Sequence, residues 1–288
     1  EIMFIPEKRV AKKEKNPKGI ALFVVLVLLF VVFVLGLTPW SSNKIFSDCY
    51  TAIKNVKIGE FAPEFEAQTT MGNIKLSDYK GKWVVLFSHP GDFTPVCTTE
   101  FIAFSKMNTY FENLNTCLLG LSIDSNASHL AWLYDICMRT GVRVPFPVIA
   151  DRSGEIARRY GMVANEISNT ETVRNVFIID DKGIIRLILI YPMNVGRCIP
   201  EILRALQALQ VADCNNGSTP ANWVPCDPMI IPPPKTFEAL IARNKEIAED
   251  KNGMSWYLSF KDPESCNVIS QTECNRLENE KEKKEQIN

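Results

Sequence analysis

The stretch spanning residues 87–100 places a cysteine where its thiol could be activated. The apolar, β-branched run at 83–87 predicts a buried strand, and the apolar spacing over 101–107 predicts a helix. With Thr94 as the N-cap of that helix, Cys97 would lie in the first helical turn. Backbone N–H groups there have no intrahelical partner and stabilise a thiolate, the nucleophilic form of cysteine. The sequence therefore predicts a reactive cysteine, with a buried and inert cysteine as the alternative.

The residues around this cysteine resemble the active site of a known family. The string Ser88-His89-Pro90-x-Asp92-Phe93-Thr94-Pro95-Val96-Cys97-Thr98-Thr99-Glu100 is similar to that of the peroxiredoxins, in particular the one-cysteine, peroxiredoxin-6-type subfamily. The resemblance extends over about residues 56–265. It implies an α/β, thioredoxin-like fold and a thiol-dependent peroxidase that acts on hydrogen peroxide and organic or lipid hydroperoxides. It implies no metal or prosthetic group, and a thiol reductant such as glutathione or a thioredoxin-like protein.

The resemblance also assigns roles to individual side chains. Cys97 is the nucleophile that becomes a sulfenic acid, and the Thr94 hydroxyl is expected to face the sulfur and bond the peroxide. Arg152 is expected to pair with the thiolate and the transition state. Arg174 would be a second, supporting arginine, and Glu100 the carboxylate that holds the arginine in place.

Two further residues belong to the same pattern. Pro90 opens the Pro-x-x-x-Thr-x-x-Cys motif, and His89 matches the histidine that marks the one-cysteine group near the sulfur. A histidine at a strand end is also commonly structural, and we interpret His129, the other histidine, as structural.

The chain departs from its relatives in the residues that would regenerate the cysteine. No Val-Cys-Pro resolving motif is present, so Cys226, Cys266 and Cys274 remain candidates for resolving Cys97. A Gly-x-Ser-x-Gly motif that some one-cysteine relatives carry is also absent, because Lys82 stands where the serine would be. Phospholipase activity is therefore not expected.

The pattern of the chain predicts a peroxidase domain over residues 57–212. Strands alternate with helices up to residue 160, a hairpin follows over 173–191, and a helix spans 200–210, which predicts a mixed sheet flanked by helices. A first hairpin is expected over 69–76, with its turn at Gly72-Asn73.

Residues 213–288 are expected to form a C-terminal extension. The family uses this region as an arm that embraces a second subunit, so the resemblance implies a homodimer or a higher homo-oligomer. A helix is predicted over 238–250, and residues 279–288 are predicted to form a solvated, charged tail.

The N-terminal region predicts a membrane anchor. A basic segment, 1–19, precedes 18 uncharged residues at 20–37, which is long enough to cross a bilayer, and a linker, 38–56, follows. A signal peptide or a buried core helix are the alternatives. Six basic residues lie before the span and three within twenty residues after it, so the N-terminus is expected on the cytosolic or matrix side. The catalytic domain would then be lumenal, intermembrane or periplasmic.

Composition narrows the partners further. A net charge of −1 and a pI near 6.3 argue against nucleic acid. Nine cysteines are many for a reducing compartment, and sequons at Asn126 and Asn216 permit glycosylation of a lumenal domain. A thioredoxin-fold accessory subunit of a membrane assembly, with secondary or lost peroxidase activity, is the competing functional hypothesis.

Overall fold

The computed structural model describes residues 56–250 and 253–264, all of which belong to one compact unit. The predicted basic segment, membrane span and charged tail lie outside the described residues, as does nearly all of the linker. Among the residues that are described, no helix is both long and apolar enough to cross a membrane.

A seven-stranded mixed sheet forms the centre of the unit, in the order β2-β1-β5-β4-β3-β6-β7. Strands β3, β4 and β5 are parallel to one another, and the remaining pairings are antiparallel. This arrangement confirms the predicted thioredoxin-like α/β fold. The strands are β1 Glu66–Thr69, β2 Gly72–Lys75, β3 Trp83–Ser88, β4 Thr116–Ser122, β5 Val148–Ala150, β6 Arg174–Ile179 and β7 Ile185–Tyr191.

Helices cover the sheet and close a core on each of its faces. In β3, Val85 and Phe87 pack into one core while Val84 and Leu86 pack into the other, so every residue of the strand is buried. This explains why the strand is a continuous apolar run instead of an alternating one. The helices are α1 Pro95–Asn113, α2 Asn126–Thr140, α3 Glu155–Arg159, α4 Ile199–Asn215 and α5 Phe237–Asp250, with a 3₁₀ turn at Leu76–Tyr79.

Two details differ from the sequence prediction. The first hairpin turns at Thr70 and Met71, because Thr69 pairs with Gly72 and the Thr69 hydroxyl accepts from the Met71 amide and donates to the Gly72 carbonyl. The predicted Gly72-Asn73 turn is therefore wrong. Helix α4 also extends five residues past the predicted end at 210.

The C-terminal extension contains a second, three-stranded sheet that the sequence did not predict. Its order is β8-β10-β9, all antiparallel. The predicted helix over 238–250 is confirmed as α5. The strands are β8 Met229–Ile230, β9 Gly253–Ser255 and β10 Leu258–Lys261.

Candidate active site

Cys97 lies in the first turn of α1, as the sequence predicts, and its side chain is fully buried. Pro95 begins the helix and Thr94 occupies the N-cap position. The Thr94 hydroxyl does not cap the helix, however, because it donates to the Gly91 carbonyl at 2.8 Å. A hydroxyl that donates in this way keeps its lone pairs available for a further donor.

Arg174, at the start of β6, contacts the sulfur directly. Its Nη1 lies 3.2 Å from Cys97 Sγ and 2.9 Å from Glu100 Oε2. Its Nε and Nη2 both donate to the Met193 carbonyl, at 2.9 and 2.6 Å. The Met193 carbonyl and the Glu100 carboxylate thus fix the guanidinium plane from two sides, and Nη1 contacts both Glu100 and the thiol.

A second arginine, Arg197, holds Glu100 from the other side. Its Nε and backbone amide donate to Glu100 Oε1, both at 2.9 Å, and its Nη2 donates to Oε2 at 2.7 Å. Burial lowers the pKa of Arg197 and the Glu100 carboxylate opposes this, so the arginine stays charged at neutral pH. Arg197 was not predicted, because an arginine in the loop before a helix carries no local signal of burial.

Arg152 does not reach the sulfur, which corrects the sequence assignment. It is exposed in the turn after β5, and it forms no hydrogen bond or ion pair with any residue that the structure describes. Two hydrogen bonds of the neighbouring Asp151 hold the turn in which Arg152 is exposed. The Asp151 carboxylate accepts from the Ala157 amide, and the Asp151 carbonyl accepts from the Gly154 amide. The arginine beside the thiol is Arg174, which was expected only to support it.

Pro90 and His89 follow β3 and are both buried. The His89 Nε2 lies 3.0 Å from Asp92 Oδ1, and burial lowers the pKa of this histidine. Within the described residues, no hydrogen bond joins His89 to Cys97. An influence of His89 on the thiolate therefore stays a prediction.

Within the described residues, one group of side chains has its potential metal-ligand atoms close together. The donor atoms of His89, Asp92 and His129 lie within 4.8 Å of one another. Hydrogen bonds of 2.9–3.0 Å between the imidazoles and the carboxylate already engage these atoms, so the group is satisfied without an ion.

Comparison with known proteins decides the family. The sequence model of the AhpC/TSA family matches residues 58–188, and that of the C-terminal domain of 1-Cys peroxiredoxin matches residues 208–246. Peroxiredoxin 2 of Caldanaerobacter subterraneus is 54% identical over 216 residues, which cover 73% of this chain and 97% of that protein. The chain belongs to the peroxiredoxin family. The peroxiredoxin of Aquifex aeolicus is 48% identical, over 71% of this chain and 96% of its own length.

Solved structures agree with this assignment. A yeast mitochondrial 1-Cys peroxiredoxin, studied for thiol resolution through the glutathione and thioredoxin systems, is 41% identical with a TM-score of 0.63. The match covers 72% of this peroxiredoxin and 99% of the yeast chain. Peroxiredoxin 6 of Arenicola marina, solved as a cysteine-to-serine mutant, is 33% identical with a TM-score of 0.65, over 74% and 100% of the two chains.

The described cysteines of this peroxiredoxin fall into two groups. Cys97, Cys117, Cys137 and Cys198 are free, whereas Cys214 and Cys226 are disulfide-bonded. Because Cys97 is free, neither disulfide-bonded cysteine is joined to it. In this state Cys226 presents no thiol that could resolve Cys97. The other candidates, Cys266 and Cys274, lie outside the described residues.

The buried position of Glu100 predicts a large effect on stability. Glu100→Gln keeps the shape of the side chain but removes the carboxylate that Arg174 and Arg197 share. All three side chains are at most 3% exposed, so water cannot replace the lost carboxylate. Breaking a buried ion pair on one side costs about 3–5 kcal/mol, so the free energy of unfolding in urea should fall by that amount.

A surface pair on α4 is the matched control. Glu201 bonds Arg204 but is 43% exposed, so Glu201→Gln should change the free energy of unfolding by only about 0–1 kcal/mol. Equal losses for the two variants would show that Glu100 does not hold the arginine cluster together.

Proposed function

We propose that Cys97 is the peroxidatic cysteine of this thiol-dependent peroxidase. The observation that carries the proposal is Arg174 Nη1, 3.2 Å from Sγ in a buried cluster with Glu100 and Arg197. The two arginines carry two positive charges, and Glu100 supplies one negative charge. A thiolate at Cys97 brings the cluster to neutrality, whereas a thiol leaves an unbalanced buried charge, so the cluster favours the nucleophile.

The proposed reaction is a displacement at the O–O bond. The Cys97 thiolate attacks the distal peroxide oxygen, forming the S–O bond of a sulfenic acid while the O–O bond breaks. The departing oxygen leaves as hydroxide or alkoxide and takes up a proton to become water or an alcohol. Arg174 and the free amides at the start of α1 face the developing charge, and the Thr94 hydroxyl orients the peroxide.

An external thiol is proposed to restore the cysteine. It attacks the sulfenic sulfur, releases water and leaves a mixed disulfide, which a second thiol reduces. The disulfide state of Cys226 supports an external reductant over Cys226 as the resolving cysteine. The glutathione and thioredoxin systems studied with the yeast relative make such thiols the first reductants to test.

Rapid-mixing kinetics of the full chain in detergent micelles test this function against the accessory-subunit hypothesis. Hydrogen peroxide and cumene hydroperoxide, an organic substrate, are each mixed with the reduced protein, and loss of the free Cys97 thiol is followed. A second-order reaction with both, turning over when glutathione or thioredoxin is added, is expected. A thiol that reacts no faster than free cysteine would favour a non-catalytic subunit.

We further propose that residues 20–37 anchor the enzyme in a membrane, with the N-terminus on the cytosolic or matrix side. The uncharged run and the basic residues before it motivate this arrangement. The disulfide-bonded state of Cys214 and Cys226 supports a domain on the opposite, oxidising side, where it would meet lipid hydroperoxides.

Protease protection checks the topology. In sealed vesicles whose cytosolic or matrix face points outward, added protease should remove only the N-terminal segment and should digest the domain after detergent is added. Digestion of the domain in intact vesicles would reverse the orientation and place Cys97 on the reducing side.

A homodimer is proposed as the working assembly. The C-terminal extension matches the 1-Cys peroxiredoxin C-terminal domain and exposes large apolar side chains that a second copy could cover. Sedimentation in detergent should give a dimer or a larger homo-oligomer, and a monomer at micromolar concentration would contradict the proposal. The exposed side chains are Phe237, Ile241, Met254, Trp256 and Tyr257.

A further inference from the structure

The carboxylate of Asp92 lies buried between the two histidines of the chain. It is 2% exposed, and both imidazole rings are fully buried. His89 Nε2 lies 3.0 Å from Oδ1, and His129 Nδ1 lies 3.0 Å from Oδ1 and 2.9 Å from Oδ2. The three residues come from the end of β3, the loop before α1, and α2.

Both ring nitrogens of His129 contact hydrogen-bond acceptors. Its Nε2 lies 3.2 Å from the Ile149 carbonyl, an oxygen that can only accept a hydrogen bond. Its Nδ1 faces the Asp92 carboxylate, which also only accepts when it is ionised. Burial alone would raise the pKa of Asp92, but hydrogen bonds from His129 and His89 outweigh burial and hold the pKa well below its usual range. Both ring nitrogens of His129 therefore face acceptors, which is the arrangement of a buried ion pair with the Asp92 carboxylate.

His89 completes the network as a neutral ring. Its Nε2–H donates to Asp92 Oδ1, while its Nδ1 is buried without a hydrogen-bond partner among the described residues. Burial lowers the pKa of His89, consistent with the neutral form. Asp124, the other nearby carboxylate, accepts from the Asp92 backbone amide at 3.0 Å and from the Ser122 hydroxyl at 2.8 Å.

The network holds a loop whose backbone is strained. Phe93, directly after Asp92, has a φ of +55° and is 58% exposed, so its own side chain has little packing to fix it. A bulky residue in this left-handed region costs about 1–3 kcal/mol and persists only where its neighbours over-determine the conformation. Here the neighbours are the buried Asp92 and, on the other side, Thr94, whose hydroxyl bonds the Gly91 carbonyl.

We propose that Asp92 and His129 form a buried ion pair and are positioning residues: they lock the Gly91–Thr94 loop, and with it Thr94, the N-cap of the helix whose first turn carries Cys97. This inference rests on the proposed peroxidase function. The ion pair supplies the fixed point on which the strained Phe93 conformation depends. Without it the loop relaxes, and Thr94 leaves the position from which it orients the peroxide.

Nuclear magnetic resonance tests the imidazolium directly, because the chain contains only two histidines. A long-range proton–nitrogen correlation spectrum of the full chain with isotope-labelled histidine should show one ring with both nitrogens protonated and one with a single unprotonated nitrogen at neutral pH. His129→Gln assigns the first ring to His129. Two neutral rings would overturn the proposed ion pair.

A double-mutant cycle tests positioning. Asp92→Asn removes the charge with little change in shape and should lower kcat/KM for hydrogen peroxide about 10- to 100-fold, the effect of displacing an orienting group by about 1 Å. In a Phe93→Gly background the loop is no longer strained, since glycine adopts positive φ freely. The same Asp92→Asn change should then cost several-fold less than it does in the wild-type background.

Asp135, which pairs with Arg139 on the exposed side of α2, provides the control. Asp135→Asn should leave kcat/KM within about twofold. All rates are compared at a temperature where circular dichroism shows each variant fully folded, so that a loss of stability alone does not register. If Asp92→Asn does not fold, His129→Gln replaces it in the cycle.

The outcomes separate the inference from the function on which it rests. An active wild type with an equally active Asp92→Asn would overturn the positioning role and leave the peroxidase assignment intact. Equal losses in the wild-type and Phe93→Gly backgrounds would overturn the dependence on backbone strain. An inactive wild type would contradict the proposed function and, with it, the role of the loop.

Discussion

Replacing Cys97 by serine is expected to abolish peroxide turnover while leaving the fold intact. Serine is nearly isosteric with cysteine and fits the fully buried site, but its hydroxyl does not ionise near neutral pH and cannot form a sulfenic acid. Peroxide consumption coupled to a thiol reductant should fall to the rate without enzyme. Thermal unfolding should show a single transition close to that of the wild type.

Cys137→Ser is the matched control for this variant. Cys137 is a free, half-buried cysteine of α2 with no contact to the arginine cluster in the described part of the chain. This variant should keep the wild-type rate. Wild-type activity in Cys97→Ser, or loss of activity in Cys137→Ser, would place the reactive thiol elsewhere.

Replacing Arg174 by methionine should lower the peroxide rate by on the order of a hundredfold or more, the effect of losing one transition-state donor. Methionine keeps much of the side-chain volume but removes the guanidinium that lies 3.2 Å from Cys97 Sγ. Without this positive charge beside the sulfur, alkylation of Cys97 by iodoacetamide should also slow.

Arg152→Met distinguishes the two arginines that the sequence proposed. Arg152 is exposed and makes no bond to the cluster within the described residues, so this variant should change the rate and the alkylation less than about threefold. A large effect of Arg152→Met together with a small effect of Arg174→Met would restore the original assignment of Arg152.

The local part of the site was predictable from the sequence because it depends on neighbours along the chain. Cys97, Thr94 and Glu100 lie within one strand–helix connection, where apolar periodicity and N-terminal helix positions define the geometry. The alternation of strands and helices likewise predicted the mixed sheet, and the structure confirms it.

The arginine contacts were not predictable in the same way, since they join residues far apart in sequence. Arg174 and Cys97 are 77 positions apart, and Arg197 and Glu100 are 97 apart. Two arginines flanking turns, Arg152 and Arg174, look alike locally. Only the packing of β6 beside β3 brings one of them to the sulfur and leaves the other in solvent.

The second sheet was missed for a related reason. Its strand β8 is two residues long, and β9 and β10 are three and four residues long, so none of them gives a periodic signal. The turn of the first hairpin, at Thr70 and Met71, depends on hydrogen bonds of the Thr69 hydroxyl. A sequence-based prediction does not see these bonds and favours the Gly72-Asn73 pair, which is a stronger turn signal.

Trapping the sulfenic acid tests the central claim most directly. The reduced full chain is mixed with one equivalent of hydrogen peroxide in the presence of dimedone, which alkylates sulfenic acids, and the labelled peptide is mapped by mass spectrometry. The adduct should form at Cys97 alone and should be absent from Cys97→Ser. An adduct on another cysteine, or peroxide consumed with no adduct at Cys97, would contradict the assignment of Cys97 as the peroxidatic thiolate.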